Sequence, residues 1–514
     1  MSKAHFLWVD DEIDLLKPYV LFLEEKGYSM KCANNGRDAV EICRTALFDI
    51  IFLDEHMPGL SGLETLTLLH ASRPEVPVVM ITKSEDEGIM NQAIGKKIAD
   101  YLIKPVNPNQ VLMTIKKILD KKELISEATT VNYRDEFTHL SQETDNCRSA
   151  DDWMALYKKL IYWELELGET QNPMKEIIAM QKEEANNAFA KFIRRNYENW
   201  MIGSTTPPVM SHTLFERYLF PMLNNGDKIF FILIDNFRLD QWQTVKDVVN
   251  EEFLCDDELY LSILPTATPY ARNAVFSGLM PRQIAELYPD IWVEETEDEG
   301  KNMLEEPLVQ HQLDRFGMKQ RFSYHKINTN LEGEKLVTRF QELEKRDLNV
   351  LVFNFIDMLA HARTDSKMIR ELTTDEDAYR SLTRTWFMHS PLLTMLKMIA
   401  GKGYKAVLTT DHGAIRVKKG VKVLGDKETN VNLRYKLGRS LGYDGRKLFD
   451  ILHPANFGLP SPNMSTRYIF ATGNDFFVYP SNYNHHIVHY ENSYQHGGIS
   501  MEEMLIPFIT LTPK

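Results

Sequence analysis

The sequence predicts an α/β protein in which two sheet-containing domains are separated by a helical segment. Residues 1–120 alternate short apolar strands with amphipathic helical stretches, the pattern of a parallel sheet flanked by helices. From about 121 to 205 no strand-like run occurs, and apolar residues return at helical spacing. From 206 to 514 strands alternate with helices once more. At about 150 residues per domain, a 514-residue chain is expected to hold three domains, placed at 1–120, 121–205 and 206–514.

In the first domain the expected strands are His5–Val9, Ile50–Leu53, Val78–Ile81 and Asp100–Ile103, with a weaker one at Ser29–Ala33. In the middle segment Trp153, Leu156, Leu160, Trp163 and Leu167 recur at steps of three and four, giving one apolar stripe. Gly168 and the Asn172-Pro173 pair break that helix, and Ile177, Met180, Ala185, Phe189, Phe192 and Ile193 continue on a second. A small helical bundle is expected there, closed by the loop-like Gly203–Pro208. The clearest strands of the last domain are Lys228–Ile234, Leu259–Leu264, Val350–Ile356, Lys405–Leu408 and Tyr468–Ala471.

A hydrophobic fraction of 43% and a charged fraction of 26% exclude disordered, collagenous and coiled-coil classes. Apolar runs are strand-sized, well short of the roughly 20 residues that cross a bilayer, so no membrane insertion is expected. The Met-Ser-Lys-Ala-His start carries no signal-peptide pattern. Cys32, Cys43, Cys147 and Cys255 lack CxxC spacing, which argues against a disulfide framework or a thiolate zinc site. The expectation is a cytoplasmic protein. A net charge of −14 argues against nonspecific DNA coating.

Several strands of the first domain end in polar side chains. The strand His5–Val9 runs into Asp10-Asp11-Glu12, Ile50–Leu53 into Asp54, Val78–Ile81 into Thr82, and the fourth into Lys104-Pro105. In an open parallel sheet these ends share one edge, where ligands bind. Converging carboxylates repel unless a hard cation neutralises them, which points to Mg²⁺. One carboxylate can then attack a phosphoryl group while a lysine and a hydroxyl hold its oxygens. The strings WVDDE (8–12), FLDEHMPGLSGLE (52–64), MITKS (80–84) and YLIKP (101–105) resemble the receiver domain of two-component response regulators. The resemblance implies a flavodoxin-like fold and Asp54 as phosphoacceptor from a sensor histidine kinase. It also implies Asp10, Asp11, Asp54 and the His56 carbonyl around Mg²⁺, Thr82 and Lys104 on the phosphoryl group, and Tyr101 as an aromatic switch.

The same edge logic in the last domain collects Asp235, Asp357 with His361 four residues on, Asp411-His412, and His496 before a Gly-Gly pair. Aspartate and histidine are zinc ligands, and six are too many for one four-coordinate site but suit two metals. His485, His486 and His489 compete with His496, which ranks higher because glycines let the backbone close around a metal. The Pro265-Thr-Ala-Thr-Pro269 string offers Thr266 and Thr268 as nucleophiles, and metal coordination is a good way to ionise a hydroxyl. The order Asp…Thr…Asp-x3-His…Asp-His…His resembles the alkaline phosphatase superfamily, in particular its PglZ-like branch, over about 210–514. The resemblance implies two Zn²⁺ ions per chain, one on Asp235, Asp411 and His412, the other on Asp357, His361 and His496. PTATP is similar to the PTxTxP region of phosphodiesterase members, which implies Thr268 as nucleophile and zinc contact. Arg272 and Asn273 are nearby candidates for binding the substrate phosphate.

From Arg416 to Lys447 ten residues are basic and three acidic (Asp426, Glu428, Asp444). Such a stretch is most often a solvated surface, but beside the metal site it is expected to attract a substrate with several phosphates, with Tyr435 and Tyr443 stacking on bases. The acidic run Glu294–Glu299 is expected to be an exposed loop. A receiver joined through helices to a PglZ-like domain resembles response regulators associated with type IX protein secretion in Bacteroidetes. That implies secretion components or a sigma factor as partners and a homodimer promoted by phosphorylation. The expected function is a zinc-dependent phosphodiesterase acting on nucleotide or oligonucleotide substrates. The alternatives are a non-enzymatic, metal-stabilised signalling scaffold and a transcription regulator, the latter disfavoured by the lack of a recognition-helix module.

Overall fold

The computed structural model describes residues 4–73, 76–83, 98–168, 174–294, 302–425, 429–446, 448–481 and 483–514. Asn172-Pro173, most of the acidic run at 294–299, and Asp426, Glu428 and Lys447 lie outside the described residues. The chain divides into two compact units, Met1–Asn132 and Tyr133–Lys514. No described helix is long and apolar enough to cross a membrane.

The first unit holds five parallel strands: β1 His5–Val9, β2 Ser29–Ala33, β3 Ile50–Asp54, β4 Val78–Thr82 and β5 Asp100–Ile103. Their order, β2-β1-β3-β4-β5, is the flavodoxin-like arrangement. Alternate residues feed two cores. Leu7, Val9, Ile51, Leu53, Val78 and Met80 pack on one face, and Phe6, Trp8, Ile50, Phe52, Val79 and Ile81 on the other. Burial on both faces explains why these strands read as unbroken apolar runs. The helix after β3, Gly62–Ser72, starts at a capping box in which Ser61 Oγ accepts from the Glu64 N–H and Glu64 returns the bond to Ser61.

The second unit contains the helices Ala150–Gly168 and Lys175–Met201 and a six-stranded sheet. The helical stripe forms as expected except at Met180, which is 72% exposed. Trp153, Phe189, Phe192, Tyr197 and Trp200 join the same apolar core as Phe230, Ile232 and Ile234 of the sheet. Each large apolar side chain buried there contributes roughly 1.5–3 kcal/mol, which makes this helical face inseparable from the sheet it covers.

The sheet strands are β6 Ile229–Ile234, β7 Phe253–Leu261, β8 Phe322–Ile327, β9 Leu348–Phe353, β10 Lys405–Thr409 and the C-terminal strand Leu505–Pro513. They lie in the order β7, C-terminal strand, β10, β6, β9, β8. β10, β6, β9 and β8 run parallel, and the C-terminal strand is antiparallel to both β10 and β7. β7 therefore points the same way as β10. Two expected strands end early: the chain leaves the sheet after Leu261, and after Phe353 it turns into the helix Phe355–Asp365. An apolar run alone does not distinguish a strand from the helix turn that follows it. The expected strand at 468–471 belongs instead to a separate three-stranded sheet.

Candidate active site

At the C-terminal edge of the first sheet, Lys104 Nζ lies 2.7 Å from Asp10 and 3.0 Å from Asp54. Asp10, Asp11 and Asp54 each place a carboxylate oxygen within 4.8 Å of the others. Asp10, Asp54 and Thr82 are buried, and Thr82 Oγ1 is 3.3 Å from His56 Nδ1. Burial raises the Asp54 pKa, opposed by Lys104 and the His56 backbone N–H. Burial works to lower the Lys104 pKa, but its hydrogen bonds to Asp10 and Asp54 carry it above the usual value. Asp54 Oδ1 is buried without a hydrogen-bond donor, so the pocket has an acceptor left over for a cation. Tyr101 sits half-buried on β5 in register with Met80, two residues before the strand's C-terminal end.

In the second unit the topology brings every candidate to one edge. The adjacent strands β10, β6 and β9 end there, leading to Asp411-His412, to Asp235 and to Asn354. β7 ends at the same edge and feeds the loop to Thr268, while the antiparallel C-terminal strand begins there, just after His496. Asp357 and His361 stand one turn apart on the helix Phe355–Asp365 rather than at a strand end.

Two clusters result. Asp235, Asp411 and His412 form one, all buried; Asp357, His361 and His496 form the other. His412 Nε2 is 3.6 Å from Asp235 and 3.8 Å from Asp411. Asp357 is 3.4 Å from His361 Nε2 and 3.6 Å from His496 Nε2. The rings of His412 and His496 stack at 4.2 Å, which joins the clusters into one site. Burial drives the His496 pKa down to about 3, leaving the imidazole neutral as a metal ligand requires. Among the described residues His485, His486 and His489 join neither cluster; they stack with each other and Tyr490 on the helix Tyr483–Tyr490.

The two threonines have different duties. Thr266 is fully buried, donates to the Gly498 carbonyl at 2.9 Å and accepts from the Gly497 N–H at 3.0 Å. Thr268, partly open at the first position of the helix Thr268–Ser277, brings Oγ1 to 3.1 Å from His412 Nε2. Gly497 has φ +121°, and a Cβ there would sit 2.5 Å from Tyr435, so the turn after His496 requires glycine.

Arg272 is buried rather than turned to open space. Its guanidinium pairs with Asp235, lies 3.0 Å from Asp411 and 3.4 Å from Glu305, and donates to Asn354 at 3.2 Å. Its place is behind the first cluster, as an internal counter-ion. Asn273 is 7% exposed, with Oδ1 buried and lacking a hydrogen-bond partner. Asn236, which sequence reasoning missed, takes φ +63° straight after Asp235 and donates from Nδ2 to Asp357 at 3.1 Å. The available signal was an asparagine following a strand-end aspartate, since asparagine tolerates the left-handed region.

The fit to cations follows from this charge count. One guanidinium faces Asp235 and Asp411, since Glu305 also has Lys326 at 3.0 Å, while Asp357 has a neutral His496 beside it. Burial raises the Asp235 pKa even against Arg272, and Asp235 Oδ1 has no hydrogen-bond donor. Two cations on oxygen and nitrogen donors would relieve both deficits.

A cavity of about 380 Å³ opens beside the second cluster, walled by Pro269, His361, Asn432, Tyr435, Tyr490 and Gln495 among others. No described lysine or arginine lines it, which corrects the expected basic funnel. Arg434 is buried against Glu503 at 2.6 Å, Lys436 is buried and donates to the Asn430 carbonyl, Lys418 faces Glu183, and Arg446 faces Asp444. Tyr435 does line the cavity, but Tyr443 lies 3.3 Å from Asp450 and packs on a different apolar cluster.

Residues 214–511 match the model of the BREX system PglZ alkaline phosphatase-like domain, 123–201 that of the PorX response regulator linker domain, and 6–116 that of the response regulator receiver domain. The chain is 31% identical over 124 residues to the phosphoglycerate transport system transcriptional regulatory protein PgtA of Salmonella typhimurium, covering 24% of this chain and 30% of that protein. It is 29% identical over 155 residues to the transcriptional regulatory protein ResD of Bacillus subtilis, covering 29% of this chain and 64% of that one. The CheY-like receiver domain protein of Methanospirillum hungatei is similar at 28% identity over 24% of this chain and 98% of its own, with a TM-score of 0.23.

Proposed function

The chain belongs to the PglZ alkaline phosphatase-like family and carries a response regulator receiver domain and a PorX-type linker, and from that premise we propose that it is a phosphorylation-controlled, zinc-dependent phosphodiesterase. The observation that carries this reading is the approach of Thr268 Oγ1 to within 3.1 Å of His412 Nε2, at the helix start beside two Asp/His clusters. Asp235, Asp411 and His412 would hold one zinc, and Asp357, His361 and His496 the other. Bound zinc supplies Lewis acidity that favours the ionised hydroxyl and offsets charge on phosphoryl oxygens.

The chain's own groups then do the following. Thr268 Oγ1 bonds to phosphorus as the bond to one alcohol breaks; the hydroxyl proton ends on the departing alcohol, and Thr268 carries a phosphodiester that keeps the substrate's other ester. Water then attacks that phosphorus and Oγ1 departs, one water proton restoring the hydroxyl and the product leaving as a phosphomonoester. Thr266 keeps the His496 turn in register with the nucleophile loop through its bonds to Gly497 and Gly498. Arg272 and Asn236 hold the carboxylates in place.

The cavity supports a diester over a monoester. Its walls of tyrosine, asparagine and glutamine carry no described fixed cation for the second charge of a monoester, and they suit an uncharged nucleoside flanking the scissile phosphate. In the receiver, Asp54 accepts the phosphoryl group from a sensor histidine kinase, with Mg²⁺ on Asp10, Asp11, Asp54 and the His56 carbonyl. Thr82 and Lys104 read the phosphoryl group, and phosphorylation promotes a homodimer. The domain order supports a role in type IX protein secretion, with secretion components or a sigma factor as partners.

The test is to quantify bound metal and assay a chromogenic phosphodiester with wild type and Thr268→Ala. Zinc near two per chain and turnover abolished by the substitution support the reading. A metal-replete, phosphorylated wild type that turns over neither mono- nor diesters overturns it in favour of the scaffold.

A further inference from the structure

The helix Lys175–Met201 reaches both loops that carry the site. Asn186, 3% exposed, donates from Nδ2 to Glu502 Oε2 at 2.9 Å and accepts at Oδ1 from the Met501 N–H at 2.7 Å. Three turns further along the helix, the fully buried Tyr197 accepts at its hydroxyl from the Leu264 N–H at 2.9 Å. Leu264 stands four residues before Thr268, and Met501 five after His496. The two loops are tied to each other as well, by Thr266 with Gly497 and Gly498, and the Gly498 N–H donates to Glu503 at 2.8 Å. Lys182, one turn before Asn186, pairs with Glu164 at 2.6 Å and Glu502 at 3.2 Å, so Glu502 is held by two residues of this helix.

A helix that merely connected two domains would need only an apolar face. Here buried polar atoms of Asn186 and Tyr197 meet loop backbone amides that the sheet leaves without a partner, and each such bond fixes a direction as well as a distance.

We propose that Asn186 and Tyr197 are positioning residues for the phosphodiesterase site, so that the linker helix forms its back wall and sets the separation of Thr268 from His496. This rests on the reading that the two clusters hold metal.

The experiment compares full-length wild type, Asn186→Ala and Tyr197→Phe, with Lys191→Ala as an exposed control on the same helix. Zinc affinity is measured by competition with a chromogenic chelator, amide exchange is followed over 262–268 and 496–504, and kcat is separated from KM. Both variants are expected to bind the weaker zinc 10–100-fold less tightly, to lower kcat with KM little changed, and to exchange faster in both loops. Lys191→Ala should match wild type. Wild-type zinc affinity and loop exchange in folded Asn186→Ala and Tyr197→Phe would overturn the proposal. If Asn186→Ala does not fold, Tyr197→Phe, which removes one oxygen, decides alone. If wild type takes up no zinc, the metal reading fails separately and the exchange comparison still decides positioning.

Discussion

Thr268 Oγ1 lies 3.1 Å from Nε2 of His412, while the hydroxyl of Thr266, two residues earlier on the same loop, is spent on the backbone of Gly497 and Gly498. One threonine is presented and the other is structural. Thr268→Ala should therefore abolish diester turnover with little change in stability. Thr266→Ala should lose part of the activity and about 1–3 kcal/mol of stability, because it leaves a buried amide and carbonyl without partners. Steady-state kinetics and urea unfolding of both variants check the split.

Removing zinc should weaken the second unit. Chelation would leave Asp235 and Asp411 sharing one arginine, and Asp357 beside neutral His496. Restoring zinc to about 100 times its Kd should stabilise this unit by about 2.7 kcal/mol for each site filled, about 5.4 kcal/mol for both. Differential scanning calorimetry with and without chelator measures it, and a second-unit transition indifferent to both would contradict the clusters as metal sites.

Arg272→Met should cost about 3–5 kcal/mol, since it strands buried carboxylates around a missing cation. Arg272→Lys keeps the charge but not the forked geometry and should fall between. Were Arg272 a substrate group instead, Arg272→Lys would raise KM at unchanged stability.

Asp54 gives a pH-dependent expectation. Burial raises its folded pKa above the unfolded value, so the protonated form is favoured by folding. The associated stability is present at low pH and is lost as pH rises through the folded pKa; at neutral pH without Mg²⁺ the carboxylate is destabilising. Asp54→Asn should thus stabilise the first unit near pH 7 and leave it little changed below pH 4, while abolishing phosphorylation. Amide exchange of β3 at the two pH values reads the difference, and equal protection of wild type and variant at pH 7 would refute it.

These carboxylates were legible because each stands where an apolar run stops: Asp10 and Asp235 directly follow their strands, Asp54 closes its strand, and Asp411 stands just beyond β10 with only Thr410 between. What was not legible depends on three-dimensional partners. Arg272 is an ordinary arginine on a helix until Asp235, Asp411 and Glu305 surround it from three other segments. The basic run could be counted but not aimed, and Arg434 and Lys436 proved to be buried. The C-terminal strand escaped notice because Pro507 and Pro513 argue against an interior strand, yet Leu505–Pro513 lies between β7 and β10.

That interposed strand has a consequence for how the protein comes into being. β7, which feeds the nucleophile loop, reaches the rest of the sheet only through Leu505–Pro513, and these residues leave the ribosome some 240 positions after β7 itself. Asp235, Asp357, His361, Asp411 and His412 follow β6, β9 and β10, which pair with one another directly, whereas Thr266 and Thr268 follow β7 and meet those ligands through the sheet only by way of this strand. Pairing across so long a sequence separation carries a loop-closure cost, so the nucleophile loop joins the ligand strands through the sheet only once Leu505–Pro513 has paired with both β7 and β10.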